Sequence, residues 1–306
     1  MINLFNIPNH IIDTSKLGHL LHGKVVKEFE TAFAEYVGAN HACFANSASS
    51  LMYIALRGLN TTIKVPSIIP RVVPNVIINT KNKLDFYDDV EWVGGCYKLT
   101  DSVWDSAQEV SKNQYENTVS KTNDTMIFSF YPTKPVSGCD GGMIVSDSER
   151  IINYYRSMIN NGSTVGESWD IKQSRIGYKM HGNSIQANIA YNNFKNLEKK
   201  NSILEEICLE YNDKLGFNNK SKHLYRVRVE DNKSTLKYLE SKGIKCGIHY
   251  EACHLNPVFR DCVYQKNSLP KSELEEKQTL SIPFHENLTK QDLQKVIENV
   301  KRFTTV

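Results

Sequence analysis

Residues 129–145, SFYPTKPVSGCDGGMIV, decide how the chain is read, because they join two apolar runs through a loop that carries a single lysine. The run leading in, MIFSFY at 126–131, is too uniformly apolar to keep one face in water. That is how a strand covered on both sides of a parallel sheet reads. Lys134 comes just past its end, among Pro132, Pro135 and Gly138. An amine there is either solvated, as loop lysines usually are, or partly desolvated at a pocket floor, where its pKa falls and the neutral nucleophile becomes accessible. The stretch alone leaves both open.

Upstream, Val26, Phe29, Phe33 and Tyr36 recur at helical spacing over 24–37, and Gly38 supplies a stop. A strand HACFAN, a helix SSLMYIALRGL and a strand TIKVPS follow, then strands near KLDFYD, SVWD, MIFSFY and GMIVSD. Downstream, residues 183–216 hold no proline and no internal glycine, which predicts a long helix with one break linking two domains. Beyond it HLYRVRV, NKSTLKYLESKG, CGIHYEA, TLSIPF and TKQDLQKVIENVKRF predict a compact α+β set, with Thr289 capping the last helix and Asp292 in its first turn. The expectation is an α/β protein of 306 residues, with a large domain over 1–200 and a small C-terminal α+β domain over 201–306.

Lys and Arg total 37 against 34 for Asp and Glu, so no polyanion and no acidic membrane surface is implied as a partner. Arg226, Arg228 and the run NLEKKN form no aromatic-interleaved basic face for nucleic acid. The start lacks a basic segment followed by an apolar run, and no membrane-length apolar stretch occurs, which predicts a cytoplasmic protein. Seven cysteines without a CxxC pair predict reduced, mostly buried thiols. His249, Cys253, His254 and Cys262 match no common zinc spacing, so no metal is expected.

Three places offer chemistry. In CFANSASS, small residues after a strand and before a helix expose backbone N–H groups to an anion, or simply cap the helix. In SVWDSAQEV, Asp105 ends an apolar strand with Gln108 three residues on. Strand ends are where open α/β sheets bind ligands. A carboxylate buried there requires a positive partner such as a protonated pyridine nitrogen; otherwise it caps the next helix. Lys134 is the third. An anion cradle, an acid for a ring nitrogen and an imine-forming lysine are together the parts that pyridoxal phosphate chemistry requires.

The chain resembles the DegT/DnrJ/EryC1/StrS group of sugar aminotransferases, fold type I enzymes that use pyridoxal 5'-phosphate. The likeness runs in order through GKVVKEFETAFAEYVGANHACFANSASSLMYIAL, KVPS, DSAQ, FSFYPTKPVSGCDGGMIV, GYKMHGNSIQANIA, GIHYEACH and LSIPFHENLT, nearly the whole length. It implies a mostly parallel central sheet flanked by helices. It implies that Lys134 joins the cofactor covalently and later moves a proton, and that Asp105 pairs with the ring nitrogen. Gln108 would meet the ring's phenolic oxygen. Ser129, Ser49 and the N–H groups of Ala48 and Ser49 would hold the phosphate. It also implies a homodimer with shared active sites, the GYKMHGNS segment reaching into the neighbouring subunit. The activity the resemblance implies is amination of a nucleotide-linked keto-sugar, with glutamate as amino donor.

Four departures stand out. Ala48 replaces the usual glycine of the phosphate turn and tolerates positive φ poorly. Pro70 stands where an aromatic ring usually stacks on the cofactor. Lys179 and His181 replace the usual Asn and Arg, so Lys179 would face the cofactor phosphate and His181, like His249, the substrate; a polar dimer rim is the plainer reading. The interval from Pro66 to Asp105 is short, and DFYDDVEWVGGCYKL reads as a contracted strand and helix unit, about one βα element of roughly 30 residues having been lost. Two rivals follow: a degenerate, non-catalytic binding protein, and a sugar dehydratase, against which Lys134 argues because such members carry His there.

Overall fold

Apolar residues at 126–128 make Thr125–Ser129 the middle strand of a five-stranded sheet, as the sequence predicts. The computed structural model describes residues 1–305 apart from 9, 11, 120, 164–171 and 265. In chain order the first elements are α1 (Lys24–Val37), β1 (His41–Ala45), α2 (Ala48–Leu56), β2 (Thr62–Pro66), α3 (Val72–Asn79) and β3 (Lys83–Tyr87). Next come β4 (Tyr97–Thr100), β5 (Val103–Asp105), α4 (Gln114–Thr118), β6 (Thr125–Ser129), β7 (Gly142–Ser146) and α5 (Glu149–Ile159). The rest are α6 (Ser184–Phe194), α7 (Leu197–Leu215), β8 (Tyr225–Arg228), α8 (Asn232–Ser241), α9 (Pro257–Arg260), α10 (Pro270–Gln278), β9 (Thr279–Ile282) and α11 (Lys290–Val300).

The large sheet runs β1-β7-β6-β5-β4, and β2 pairs in parallel with β3 beside it. Strands β1, β6 and β5 point the same way, whereas β7, inserted between β1 and β6, opposes both. Together these parallel sets make the α/β sheet with helices packed on it. One consequence matters for function: the C-terminal ends of β1, β5 and β6 lie along one edge, where such sheets open to ligands.

Local signals explain the element ends. Helix α1 stops where Gly38 adopts the left-handed conformation (φ 77°, ψ 36°), which costs glycine nothing. Helix α6 starts on a capping box of Asn183 and Gln186, and α11 on one of Thr289 and Asp292. The long helical stretch breaks at Lys195 and Asn196, between α6 and α7. Helices α1 and α6 bury an aromatic cluster against the sheet: the rings of Phe29, Phe33 and Phe128 are fully buried, and Phe130 lies 5.1 Å from Phe29 and 5.4 Å from Phe33. Each such ring contributes roughly 2–3 kcal/mol of burial. That cluster fixes the backbone from which the Lys134 loop departs.

A second cluster gathers Leu204, Tyr211, Tyr225, Leu239, Leu280 and Val296 with Ile2. Ala252, Cys253, Phe259 and Leu269 instead pack with the core of the large sheet.

Four expectations are corrected. Residues 88–96 form turns, so the contracted unit contains no helix; β4 folds back as the hairpin partner of β5. Residues 246–252 are not a strand, because their ladder stops at isolated bridges Gly247 to Ser281 and Ala252 to Ile68. Ala48 stands in the first helical turn and is not among the residues with positive φ, so the missing glycine imposes no strain. Of the seven thiols, all free, Cys139 and Cys262 are exposed and only Cys43, Cys208 and Cys253 fully buried.

Candidate active site

At the β1 end of the sheet, Ser47 caps α2: its Oγ accepts from the Ser50 N–H at 3.2 Å. The N–H groups of Ala48 and Ser49, ahead of the first helical acceptor, have no partner among the described residues. Gly142 sets how closely that helix end meets the sheet. A Cβ there would lie 2.4 Å from the Ala48 nitrogen and 2.6 Å from the Ser47 carbonyl carbon. Gly142 is the cross-strand partner of both Ala45 and Ser129, so Ser129 sits one strand spacing, about 5 Å, from the strand residue on which the helix end rests. Gly142 thus has the Ala48 end of α2 on one side and Ser129 on the other, and a helix N-terminus is the kind of backbone end that can take an anion.

The loop after β6 is closed at its neck by Phe130 N–H to Gly141 O at 3.0 Å and Gly138 N–H to Phe130 O at 2.9 Å. Inside it, the Lys134 N–H donates to Tyr131 O at 2.9 Å and Ser137 Oγ to Pro132 O at 2.7 Å. The helices hold it from below: Asn193 Nδ2 donates to Ser137 O at 2.5 Å and Lys200 Nζ to Pro135 O at 3.0 Å. Lys134 is thus presented by a braced backbone rather than by a free loop. Desolvation lowers its pKa to about 8, with the Asp105 carboxylate opposing the fall. At pH 7 roughly a tenth of this amine is neutral, against well under a thousandth for an ordinary lysine.

Asp105 is buried at the end of β5, and burial raises its pKa. Three contacts oppose that rise and favour the carboxylate: the Tyr97 hydroxyl donates to Oδ2 at 2.6 Å, the Ala107 N–H donates to Oδ1 at 2.9 Å, and Lys134 supplies a positive charge. Gln108, also buried, accepts the Gly94 N–H on Oε1 at 2.9 Å. That donor fixes which way the amide faces, and its nitrogen makes no hydrogen bond among the described residues.

The covering wall comes from distant parts of the chain. His249 Nδ1 lies 3.0 Å from Ser281 Oγ, and burial together with Lys134 and Arg226 lowers its pKa to about 4. His223, stacked on Phe5 at 5.6 Å, is held well below the usual histidine range by burial and by Lys134, His249 and Lys200. Burial and the Asp105 charge raise Tyr250. Tyr97, His223 and Tyr250 are site residues that sequence reasoning missed. For Tyr97 a signal existed: in YKLTDSVWD, a hairpin register sets Tyr97 directly across from Asp105.

The structure therefore couples Lys134 electrostatically to Asp105 and His249, and separately sets the Ala48 end of α2 and Ser129 on either side of Gly142. Lys179 is exposed and bridges Asn160 instead. His181 bridges Ala45, its ring 4.7 Å from His22, with a buried Nδ1 that has no hydrogen-bond partner among the described residues. His254 is a packed histidine tied to Ser67 Oγ at 2.6 Å. Pro70 is half-buried, and its carbonyl accepts the Val73 N–H at the start of α3. Among the described residues no cluster of three or more His, Cys, Asp or Glu has metal-binding geometry, and no helix is long and apolar enough to cross a membrane.

Pyridoxal phosphate fits these groups. It needs an amine that deprotonates near neutrality, a buried anion for a pyridinium nitrogen and a helix end for a phosphate. Lys134, Asp105 and the α2 terminus abutting Gly142 offer those three.

Fold and site together define a pyridoxal-phosphate-dependent aminotransferase of fold type I. The chain belongs to the DegT/DnrJ/EryC1/StrS aminotransferase family, whose sequence model matches residues 6–72 and 102–301. It is 23% identical, over 92% of each chain, to the UDP-4-amino-4,6-dideoxy-N-acetyl-beta-L-altrosamine transaminase of Campylobacter jejuni. Among solved structures, the aminotransferase TlmJ from Streptoalloteichus hindustanus superposes with a TM-score of 0.83 at 19% identity, covering 99% of this chain and 98% of that one. Spr1654 from Streptococcus pneumoniae, solved in its PLP form, gives 0.81 at 15% identity, with 99% and 98% covered.

Proposed function

We propose that the protein transfers an amino group from glutamate to the carbonyl of a keto-sugar carried on a nucleoside diphosphate. The observation that carries this reading is Lys134, half-buried on a braced loop with its pKa near 8, electrostatically paired with the buried Asp105. The similarity to a transaminase named for a UDP-linked amino-sugar supports the substrate class.

When bound, pyridoxal phosphate supplies an electron sink that makes a neighbouring C–H acidic. Lys134 would hold the cofactor through its amine, and the same amine, when free, would take a proton from the substrate and return it. Asp105 would accept a hydrogen bond from the protonated ring nitrogen. Gln108 Nε2 donates to the phenolic oxygen. The N–H groups of Ala48 and Ser49, with the Ser49 and Ser129 hydroxyls, hold the phosphate. His249, neutral above pH 5, lines the side from which substrate enters and offers hydrogen bonds without charge. Lys179 and His181 serve a neighbouring subunit in a homodimer: Lys179 reaches the phosphate there and His181 the substrate. The unpartnered His181 Nδ1 supports that assignment. The chain divides near residue 200 into a cofactor-binding domain and a C-terminal domain, Ile2 crossing to the second and Phe259 to the first. The enzyme works in the cytoplasm.

Absorbance spectroscopy tests the reading. The purified protein takes up one pyridoxal phosphate per chain, its visible band shifts on adding glutamate, and Lys134→Ala abolishes the shift and turnover. A protein that binds no cofactor, or whose Lys134→Ala variant still turns over, is not this enzyme.

A further inference from the structure

We propose that Tyr97 is a positioning residue, acting through Asp105 to keep the proton on the cofactor's ring nitrogen. The inference rests on the role given above to Asp105. Its basis is a segment that the family likeness does not cover: residues 92–97 fall between the two matched stretches, which end at 72 and resume at 102.

Two residues that face the ring take a hydrogen bond from that segment. The Tyr97 hydroxyl donates to Asp105 Oδ2 at 2.6 Å, and the Gly94 N–H donates to Gln108 Oε1 at 2.9 Å. Both contacts are buried, with Tyr97 5% and Asp105 4% exposed. The donors are themselves held. Tyr97 is the cross-strand partner of Asp105. Its ring meets the edge of Trp92 at 4.7 Å, and the Trp92 Nε1–H donates to Ile68 O at 3.0 Å. Gly94, at φ +92°, is fastened by Ser221 Oγ to its carbonyl at 2.9 Å, and a Cβ there would strike that hydroxyl at 2.5 Å. The contraction between β3 and β5 has thus left a short, braced arm whose two donors end on the two ring-facing side chains.

The chemistry follows from competition for one proton. A carboxylate and a pyridine nitrogen in hydrogen-bond contact share it, and it resides on the stronger base. Burial makes Asp105 a stronger base than a solvated aspartate, which draws the proton toward the carboxylate. Each donor to the carboxylate reverses part of that gain: the Ala107 N–H occupies Oδ1 and the Tyr97 hydroxyl Oδ2, leaving the second lone pair of an oxygen for the ring. Without the hydroxyl the proton moves toward Asp105, the ring loses positive charge, and proton abstraction from the substrate carbon slows.

The test uses the holoenzyme loaded with cofactor labelled with nitrogen-15 in the ring. In the wild type the resonance lies between the unprotonated and protonated positions, nearer the protonated one. In Tyr97→Phe, which removes one oxygen and keeps the ring, it moves toward the unprotonated position, and kcat falls about tenfold while KM for both substrates changes less than about twofold. Should Tyr97→Phe fail to fold, 3-fluorotyrosine at position 97, a more acidic donor of nearly the same shape, decides: the resonance moves further to the protonated side, and an unmoved resonance overturns the proposal. A resonance unchanged in Tyr97→Phe overturns it as well, whatever the activity does. Asp105→Asn separates the two levels. If that variant shifts the resonance and Tyr97→Phe does not, only the role of Tyr97 is wrong. If neither shifts it, the role of Asp105 is wrong and the inference falls with it.

Discussion

The two ends of the candidate site are built differently. The end proposed for the phosphate rests on backbone: a serine cap, two N–H groups without a partner among the described residues and a glycine that lets a helix touch a sheet. The end proposed for the ring rests on side chains, the buried Asp105, Gln108 and Tyr97 and the half-buried Lys134, with His223 and His249 brought across from the C-terminal half. Backbone cradles tolerate change in any side chain that leaves the path of the chain alone. A cluster of buried titratable groups does not, because each member sets the charge of the next.

The contrast can be broken most severely at the ring end. Asp105→Asn leaves shape intact and removes the anion, and turnover should drop about 10³-fold, some 4 kcal/mol of transition-state stabilisation; steady-state kinetics on the holoenzyme checks this. At the phosphate end the vulnerable atom is a missing one. Gly142→Ala drives a Cβ into the backbone of Ala48 and should cost at least about 3 kcal/mol in urea denaturation, with loss of cofactor affinity. A substitution there that leaves stability untouched would show that the helix end is not seated on the strand.

Charge coupling at the ring end gives a third measurement. Labelling of Lys134 by an amine reagent in the cofactor-free protein should half-saturate near pH 8, since the neutral amine grows as pH rises through its folded pKa and falls tenfold per unit below it. Asp105→Asn should move that midpoint lower still, because the carboxylate is what holds the pKa up. A midpoint above 10 would mean the amine stands in water. The smallest effect belongs to the cap: Ser47→Ala should cost about 1 kcal/mol in thermal or urea unfolding while activity changes less than tenfold, since the N–H groups of Ala48 and Ser49 remain.

How much of this the sequence disclosed follows the same division. The order of most strands and helices, the cap at Thr289 and the stop at Gly38 are written in nearest neighbours, and the structure carries them, whereas the helix expected within 85–99 and the strand expected at 246–252 are absent. Lys134, Asp105 and Gln108 could be singled out because each follows or ends an apolar strand, where an α/β sheet exposes side chains; Ser129 entered through the family resemblance. Tyr97 was hidden by the contraction, since DFYDDVEWVGGCYKL read as part of a helical unit and only hairpin pairing sets it against Asp105. His223 was hidden by distance; nothing near it in the chain is catalytic, and its stacking partner is Phe5.

The chain's own order of apolar runs, glycines and caps determined the sheet, its reactive edge and the lysine that stands there, because those depend on periodicity and on φ preferences that neighbours impose. Only tertiary packing decided how acidic Lys134 is, which donors reach Asp105 and which histidines remain neutral beside them. Those are set by desolvation and by charges a few ångströms apart in space, and separation along the chain carries no record of either.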